Sequence, residues 1–410
     1  MFDAAKQNQI RNLIQADAVA LARKYNHLVL EFSTGVGKSL AAIKIIQELI
    51  DSSPKSKGYI VCKENTHKKN WMDDIKKHGY SHLLKNLTFI LYASAKKMVK
   101  SDFIVLDECH ALTPKRMANI KPLVIKGTKV LYLSATIKDD KKEFIWNLSK
   151  KTAHYYKISL IDAINKGLLP TPRVVVHKIK MDDSSDRPNV FVMKKGKGTI
   201  KKSCSYYDRW KHYNNYSNLT LSVKCNNKEY YELLTGQMKY YKELAFNGSP
   251  KYRVACRNKF LNIGSKRKKF IASTKTKEAK LIIDEFRKNE VRFICFTGSI
   301  DQSSELGADS AIHSKNTVDY NQNLVDCFND KECEELFAVK MLREGVNLTE
   351  VHKGIVVQLD STMGSFYQML GRCLRHEFPE IHLLIVKDTQ DEVYFSSAMQ
   401  DFDMKYVTNG

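Results

Sequence analysis

Short apolar runs separated by amphipathic stretches organise the first 155 or so residues: His27–Phe32, Tyr59–Cys62, Leu87–Tyr92, Phe103–Leu106 and Val130–Leu133. Between them, Leu40–Ile50 and Asn70–His78 repeat their apolar positions with helical spacing. Runs too short for helices, with apolar residues at consecutive positions, are what strands buried on both faces require. Their alternation with helices predicts a parallel sheet covered on both sides. The rhythm returns from about residue 291 in Arg292–Phe296, Leu336–Val339, Gly354–Leu359 and His382–Val386. The chain therefore reads as two α/β units of similar size.

The stretch between them has a different character. Residues 181–270 hold 20 Lys and Arg against 7 Asp and Glu, with Tyr206, Tyr207, Trp210, Tyr213, Tyr216, Tyr230, Tyr231, Tyr240 and Tyr241 interleaved. Val190–Met193 and Thr199-Ile200 flank Lys194-Lys195-Gly196-Lys197-Gly198, a pattern that predicts a short β-hairpin with a basic tip. Glu229–Phe246 predicts a helix interrupted only at Gly236. The paired tyrosines at 230–231 and 240–241 fall about three turns apart on it, a spacing that fits packing better than base stacking. The divisions expected are a first unit over 1–155, a linker over 156–180, a basic accessory insert over 181–270 and a second unit over 271–410.

Composition narrows the partners. The 410 residues are 43% hydrophobic and 27% charged, with a formal net charge of +22 and a pI near 9.4. A packed chain that basic favours a polyanionic partner over a neutral one. No segment approaches the ~18 uninterrupted apolar residues of a membrane span. Nine cysteines stand singly, without a C-x-x-C pair or clustered histidines, so neither a zinc site nor a disulfide framework is expected. The start, Met1-Phe2-Asp3-Ala4-Ala5-Lys6, lacks the apolar core of a signal peptide, and a cytoplasmic protein is the expectation.

The candidate chemistry sits at two strand ends. Ser33-Thr34-Gly35-Val36-Gly37-Lys38-Ser39 follows the first run, and Asp107-Glu108-Cys109-His110 follows the fourth. A glycine-rich turn between strand and helix aims backbone N–H groups at phosphate oxygens, and Lys38 adds a point charge. Ser39 can take one coordination position on Mg²⁺, and Asp107 can hold the same ion through water. Together the motifs read as the two halves of an ATP hydrolysis site. A strict P-loop would have glycine where Phe32 stands.

The order of motifs resembles the superfamily 2 helicases and translocases, over both α/β units. Asn12-Leu13-Ile14-Gln15-Ala16-Asp17-Ala18-Val19 is similar to the upstream glutamine motif that reads adenine. Val61-Cys62-Lys63 with Asn70-Trp71 is similar to the segment that touches nucleic-acid backbone. Ser134-Ala135-Thr136 resembles the motif coupling hydrolysis to movement. Phe293–Thr297, Arg343-Glu344-Gly345-Val346-Asn347-Leu348 and Gln368-Met369-Leu370-Gly371-Arg372-Cys373-Leu374-Arg375 are similar to motifs four, five and six. The closest likeness is to the Asp-Glu-x-His branch, which holds phage recombination helicases, type III restriction motors and chromatin-remodeller-type translocases.

The resemblance implies two tandem RecA-like domains with a basic, partly helical insert between them. Gln15, Thr34, Gly35, Gly37, Lys38, Ser39, Asp107, Gly345 and Asn347 would bind ATP, with Ser39 and Asp107 on Mg²⁺. Glu108 would activate water, Arg372 and Arg375 would reach the γ-phosphate, and His110 would bridge to Gln368 and to the Ser134/Thr136 loop. Lys63, Trp71, Lys194, Lys195 and Lys197 would meet nucleic acid, the last three as a strand-parting tip. The expected function is an ATP-driven DNA helicase acting on single-stranded, forked or branched DNA. A duplex translocase, an RNA helicase and an ATP-switched clamp stay open. A lysine- and asparagine-rich, proline-poor chain would suit a phage or an AT-rich genome.

Overall fold

The computed structural model describes residues 4–194, 221–308, 311–339, 348–359, 366, 369–371, 373, 376–400 and 402–410, with backbone alone for 186–194 and 221–224. The first unit opens with helix α1 (Ala4–Lys24) and strand β1 (His27–Phe32), then α2 (Lys38–Ser52), β2 (Gly58–Cys62), α3 (Asn65–Lys77), β3 (Leu87–Leu91) and β4 (Phe103–Leu106). It closes with α4 (Pro114–Ile120), β5 (Lys129–Ser134), α5 (Asp139–Ser149) and β6 (His154–Ile158). Its sheet is parallel throughout, in the order β3-β2-β4-β5-β1-β6. Successive residues of β1 serve different cores: Leu28, Leu30 and Phe32 join the cluster beneath α1 and α2, while Val29 joins Ile104, Tyr132 and Ile145 on the other face. Burial on both faces is why these strands read as unbroken apolar runs.

After α6 (Leu160–Asn165) the chain enters β7 (Arg173–Ile179), which pairs with β14 (Glu380–Val386) more than 200 residues later. The second sheet also holds β10 (Phe293–Thr297), β11 (Ala311–Ile312), β12 (Glu335–Val339), β13 (Lys353–Val356) and β15 (Val407–Asn409), all parallel, in the order β11-β12-β10-β13-β14-β7-β15. The 156–180 stretch thus carries the end of β6, α6 and a strand of the second sheet.

The basic segment folds as a β-ribbon and a helix pair. β8 (Asp186–Lys194) includes the expected Val190–Met193 strand, but its partner is β9 (Leu221–Asn226), with Val192 opposite Val223 and Met193 opposite Ser222. Thr199-Ile200, the partner expected from the sequence, lies outside the described residues; among those described, Leu-Ser-Val-Lys-Cys-Asn alternates apolar and polar over six positions and takes the pairing. Helix α7 (Asn227–Asn247) starts in a capping box: Asn226 Oδ1 accepts from Glu229 N at 2.8 Å, and Asn226 N donates to Glu229 Oε2 at 3.0 Å. It runs through Gly236 without a break. A turn at Gly248-Ser249 and Pro250 at the first helical position start α8 (Pro250–Ser273), antiparallel to α7.

The pair is fastened to the second sheet. Tyr230 meets Phe270 edge-on at 4.9 Å, Gln390 N donates to Tyr231 Oη at 2.8 Å, and Met181, Leu234, Phe270, Ile271 and Val386 form a shared core. Tyr230 and Tyr231 are packing residues, as their spacing predicted. Helices α9 (Thr276–Lys288), α10 (Ile300–Glu305), α11 (Val318–Asn329) and α12 (Gln390–Met399) complete the second unit. No helix among the described residues is long and apolar enough to cross a membrane.

One feature of the β7–β14 pair makes stability depend on pH. His177 Nε2 and His382 Nδ1 lie 2.9 Å apart, so one ring donates and the other must stay neutral to accept. Desolvation lowers both pKa values; Glu278, Glu285 and Glu380 oppose this at His177, and Glu380 at His382, where His177 and Lys353 depress it further. Phe286 covers the His382 ring at 5.1 Å. For Glu380, burial pulls its pKa up, but hydrogen bonds from Lys353 and His382 outweigh it and bring it down to about 2. Histidines that titrate lower in the fold than in the unfolded chain contribute full stability above the unfolded pKa of about 6.5 and lose it as pH falls. Glu380 holds its contribution until far lower pH. The melting temperature should therefore be level from pH 8 to 7 and decline below about 6.5, with His382→Gln flattening the decline.

Candidate functional site

The P-loop connects β1 to α2. Its glycines adopt backbone closed to side chains, φ 89° at Gly35 and 101° at Gly37, and Gly37 is the N-cap of α2. The loop therefore ends on the helix N-terminus, where unpaired N–H groups and the helix dipole favour phosphate. Lys38 and Ser39 are the first two residues of α2, and Lys38 Nζ donates to Phe32 O at 3.0 Å, which holds the ammonium over the loop. Phe32 itself is fully buried at the end of β1, edge-on to Tyr156 at 5.1 Å. The strand runs on through that position, so no glycine is needed there.

Helix α1 covers the loop. Gln15 is 2% exposed, and a Cβ on Gly37 would lie 3.4 Å from its Nε2. Gln15 Oε1 and Arg11 Nε, one helical turn apart, are both buried atoms without a hydrogen-bond partner among the described residues. Buried polar atoms left unpaired are costly. A nucleobase edge beside the P-loop is the kind of group that would satisfy them, so the residues present fit ATP. Burial lowers the Arg11 pKa. Arg11 was not singled out from the sequence; its spacing of four from Gln15 on one helix was the available signal.

At the end of β4, Asp107 Oδ2 accepts from Trp71 Nε1 at 3.0 Å and lies 3.4 Å from His67 Nδ1, while Tyr92 Oη donates to the Asp107 backbone oxygen at 3.0 Å. Asp107 Oδ1 has no partner among the described residues. That leaves one carboxylate oxygen to face a metal-bound water, the arrangement Mg²⁺ at this position requires. Trp71 is 3% exposed and its indole belongs to Asp107. So buried a ring has no face to offer a strand, and its position supports the Asp107 carboxylate instead. His67 and Trp71, four apart on α3, form one face of that helix. Lys63 follows β2 and is half-buried.

Glu108 stands in the left-handed region at φ 48°, a conformation unfavourable to side-chain-bearing residues and common at functional sites. It turns the chain out of β4 into the turn Cys109–Ala111. His110 Nδ1 lies 3.2 Å from Glu108 Oε2 and 3.1 Å from Ser134 Oγ. Ser134 spends its own proton on Thr136 O at 2.8 Å, so its oxygen accepts from His110. Hydrogen bonds thereby join His110, Ser134 and Thr136, and Glu108 Oε2 stands against the same His110 nitrogen as a charge neighbour. Nearby, Glu31 of β1 accepts from Ile137 N at 3.3 Å. Cys109 beneath is fully buried, and desolvation and the carboxylates keep its thiol protonated.

Two family models match the chain: the type III restriction enzyme res subunit over residues 3–98 and the helicase conserved C-terminal domain over 310–377. The helicase domain of Hef from Pyrococcus furiosus superposes with a TM-score of 0.54 at 15% identity, covering 95% of this chain and 98% of that one. Dbp5 of S. cerevisiae bound to RNA and ADP BeF3 gives 0.54 at 11%, covering 94% and 85%. The DUF1998 helicase MrfA bound to DNA gives 0.57 at 11%, covering 95% of this chain and 48% of that one. Among curated proteins, none matches the chain. The two family models, with the shared fold, support a superfamily 2 helicase. At these identities the solved structures show likeness of fold: the two parallel sheets are its tandem RecA-like domains. The matched family models support a helicase-type, ATP-dependent nucleic-acid motor.

The second lobe of the helicase reaches the P-loop. Gly371 lies so close that a Cβ there would stand 2.8 Å from Thr34 Cβ. Gly345, Asn347, Gln368, Arg372 and Arg375 lie outside the described residues, as do Lys195 and Lys197, and Lys194 is described by backbone alone. Gly371→Ala should therefore hold the lobes apart, lowering nucleic-acid-stimulated ATP turnover by about tenfold or more with an unchanged melting temperature. Turnover within about twofold of wild type would show that Thr34 simply gives way.

Proposed function

We propose that this helicase separates or remodels DNA strands, with a forked or branched duplex as its substrate. The observation that carries the reading is α8. Its 24 residues include Lys251, Arg253, Arg257, Lys259, Lys266, Arg267, Lys268 and Lys269 and no acidic residue. Of these, all but Arg267 and Lys268 are exposed. A helix of that length is about 36 Å long, close to one turn of duplex. A rod of positive charge on that scale suits a duplex backbone ahead of the motor as well as a single strand within it. MrfA, similar in fold, is bound to DNA in its structure.

In the hydrolysis cycle, Gln15 would orient the adenine, and the P-loop amides with Lys38 would hold the phosphates. Ser39 and Asp107 would hold Mg²⁺, which when bound neutralises phosphate charge. Glu108 would draw the proton from the attacking water, kept in place by His110. Arg372 and Arg375 would approach from the second lobe as it closes, with Gly345 and Asn347 beside the nucleotide. The Glu108–His110–Ser134 chain would pass the state of the phosphate to the loop at Thr136, and Lys194, Lys195 and Lys197 would meet the strand junction.

ATP hydrolysis measured at one salt concentration with no nucleic acid, single-stranded DNA, duplex DNA, forked DNA and single-stranded RNA tests the reading, with strand displacement followed on the fork. Strongest stimulation by the fork, with displacement, is the expected result. Stimulation by intact duplex without displacement would replace unwinding with translocation, RNA preference would replace DNA, and tight binding with flat hydrolysis would leave a clamp.

A further inference from the structure

A cavity of about 460 Å³ lies between the helix pair and the second sheet. Its floor is Phe296, Thr297 and Gly298 at the carboxyl end of β10, with Gln358 just beyond β13. The carboxyl ends of parallel strands are where open α/β sheets bind ligands. We propose that this cavity takes up a single nucleotide of the bound strand, its base held among Phe260, Met369 and Tyr394 and its phosphate beside Lys269. The assignment rests on the nucleic-acid reading above and gives it a base-holding step.

The lining is chemically selective. Among the described residues it holds Arg267, Lys268 and Lys269 and not one carboxylate, so an anion is favoured. Aromatic and thioether side chains provide flat, polarisable walls that suit any base without reading its edge. The volume falls in the ~300–1,000 Å³ range of pockets that enclose one small molecule. Arg267 is held by the scaffold: its Nη1 donates to Thr235 Oγ1 at 3.2 Å and its Nη2 to Gln390 Oε1 at 3.1 Å. Gln358 is likewise occupied, donating to Asp391 Oδ1 and Leu359 O at 3.0 Å each. Both are walls, and the exposed Lys269 at the rim is the phosphate partner.

Two further features support uptake of a ligand. Gly264 lies in the interior of α8, where glycine weakens a helix. A Cβ there would stand 3.2 Å from Met238 Cε, so the missing side chain keeps the cavity open. Met369 lies two residues before Gly371, the residue that meets Thr34 of the P-loop. A base lodged against Met369 therefore sits on the segment that closes the ATP site, and its arrival and departure would be coupled to the lobes.

The test uses full-length protein and single-stranded oligonucleotides carrying 5-iodouracil at one position at a time, cross-linked by light and mapped by mass spectrometry. Fluorescence anisotropy measures binding of the same strands. Cross-links to Phe260, Tyr394 or Met369 from one register are expected. Gly264→Leu should reduce them about tenfold or more with unchanged basal ATP hydrolysis and melting temperature. Ser265→Glu, at the exposed mouth, decides if the first variant folds poorly, and should reduce them similarly by placing a carboxylate beside the phosphate. Absence of binding by wild type would remove the nucleic-acid reading itself. Binding with cross-links only elsewhere, or undiminished by either variant, would overturn the pocket alone. Equal cross-linking by free 5-iodo-deoxyuridine monophosphate, with none from the strand, would reassign it to a free nucleotide.

Discussion

Glu108→Gln should lower nucleic-acid-stimulated ATP turnover by about 10²–10⁴-fold, the range over which a positioned general base contributes. ATP and nucleic-acid affinity should stay within about threefold, since the lost interaction is made in the transition state. The substitution preserves shape, so the left-handed turn at φ 48° and the contact to His110 can persist. What goes is the carboxylate charge that can accept a proton from water. Binding by fluorescent ATP analogue and turnover by phosphate release separate the two effects. A variant that hydrolyses ATP within about tenfold of wild type would move the base elsewhere. Loss of ATP binding would instead give Glu108 a structural role.

Asp391→Ala should destabilise the second lobe by about 3–5 kcal/mol, the usual cost of leaving a buried charge without its partner. Asp391 and Lys275 are both fully buried, 2.5 Å apart. Lys275 Nζ also donates to Val357 O at 2.7 Å, and Asp391 accepts from Gln358 Nε2 at 3.0 Å and from Val386 N at 3.2 Å. Desolvation lowers the Lys275 pKa, with Asp391 opposing it, so removing the carboxylate leaves the ammonium with burial alone. Gln390, the next residue along, anchors both Tyr231 and Arg267 of the helix pair. The loss should thus loosen the insert as well as the sheet. Urea denaturation measures the effect. The double variant Lys275→Met/Asp391→Leu should recover most of it, because the charge and its partner go together. Failure to recover would mean that the hydrogen bonds to Gln358 and Val386, and not the charge, hold this corner.

Local pattern carried the sheets and the chemistry at their ends. Buried parallel strands announce themselves as continuous apolar runs, and β1, β4 and β10 lie within a residue of the runs expected. The P-loop was legible because glycine at 35 and 37 is required by backbone geometry and lysine-serine by phosphate and metal. The β8 partner was not, since alternating polarity marks a strand but says nothing about which strand it joins. Trp71 was read as facing nucleic acid, whereas its burial and its bond to Asp107 put it behind that carboxylate. Helical spacing placed it with His67 on one face, yet only packing chose what that face meets.

The sequence by itself determined that this is a two-unit α/β chain with a P-loop pattern and an acidic pair at strand ends and a strongly basic segment between the units. Those features follow from periodicity, backbone-limited glycines and charge, all of which act over a few neighbouring residues. Only the tertiary structure decided that β7 joins a sheet completed 200 residues later, that α8 lies over the carboxyl ends of β10 and β13 with a nucleotide-sized space beneath, and that Gly371 closes on Thr34. Each of these brings together residues far apart in sequence. Such contacts are selected by the summed burial and shape of whole elements, which no single stretch of the chain contains.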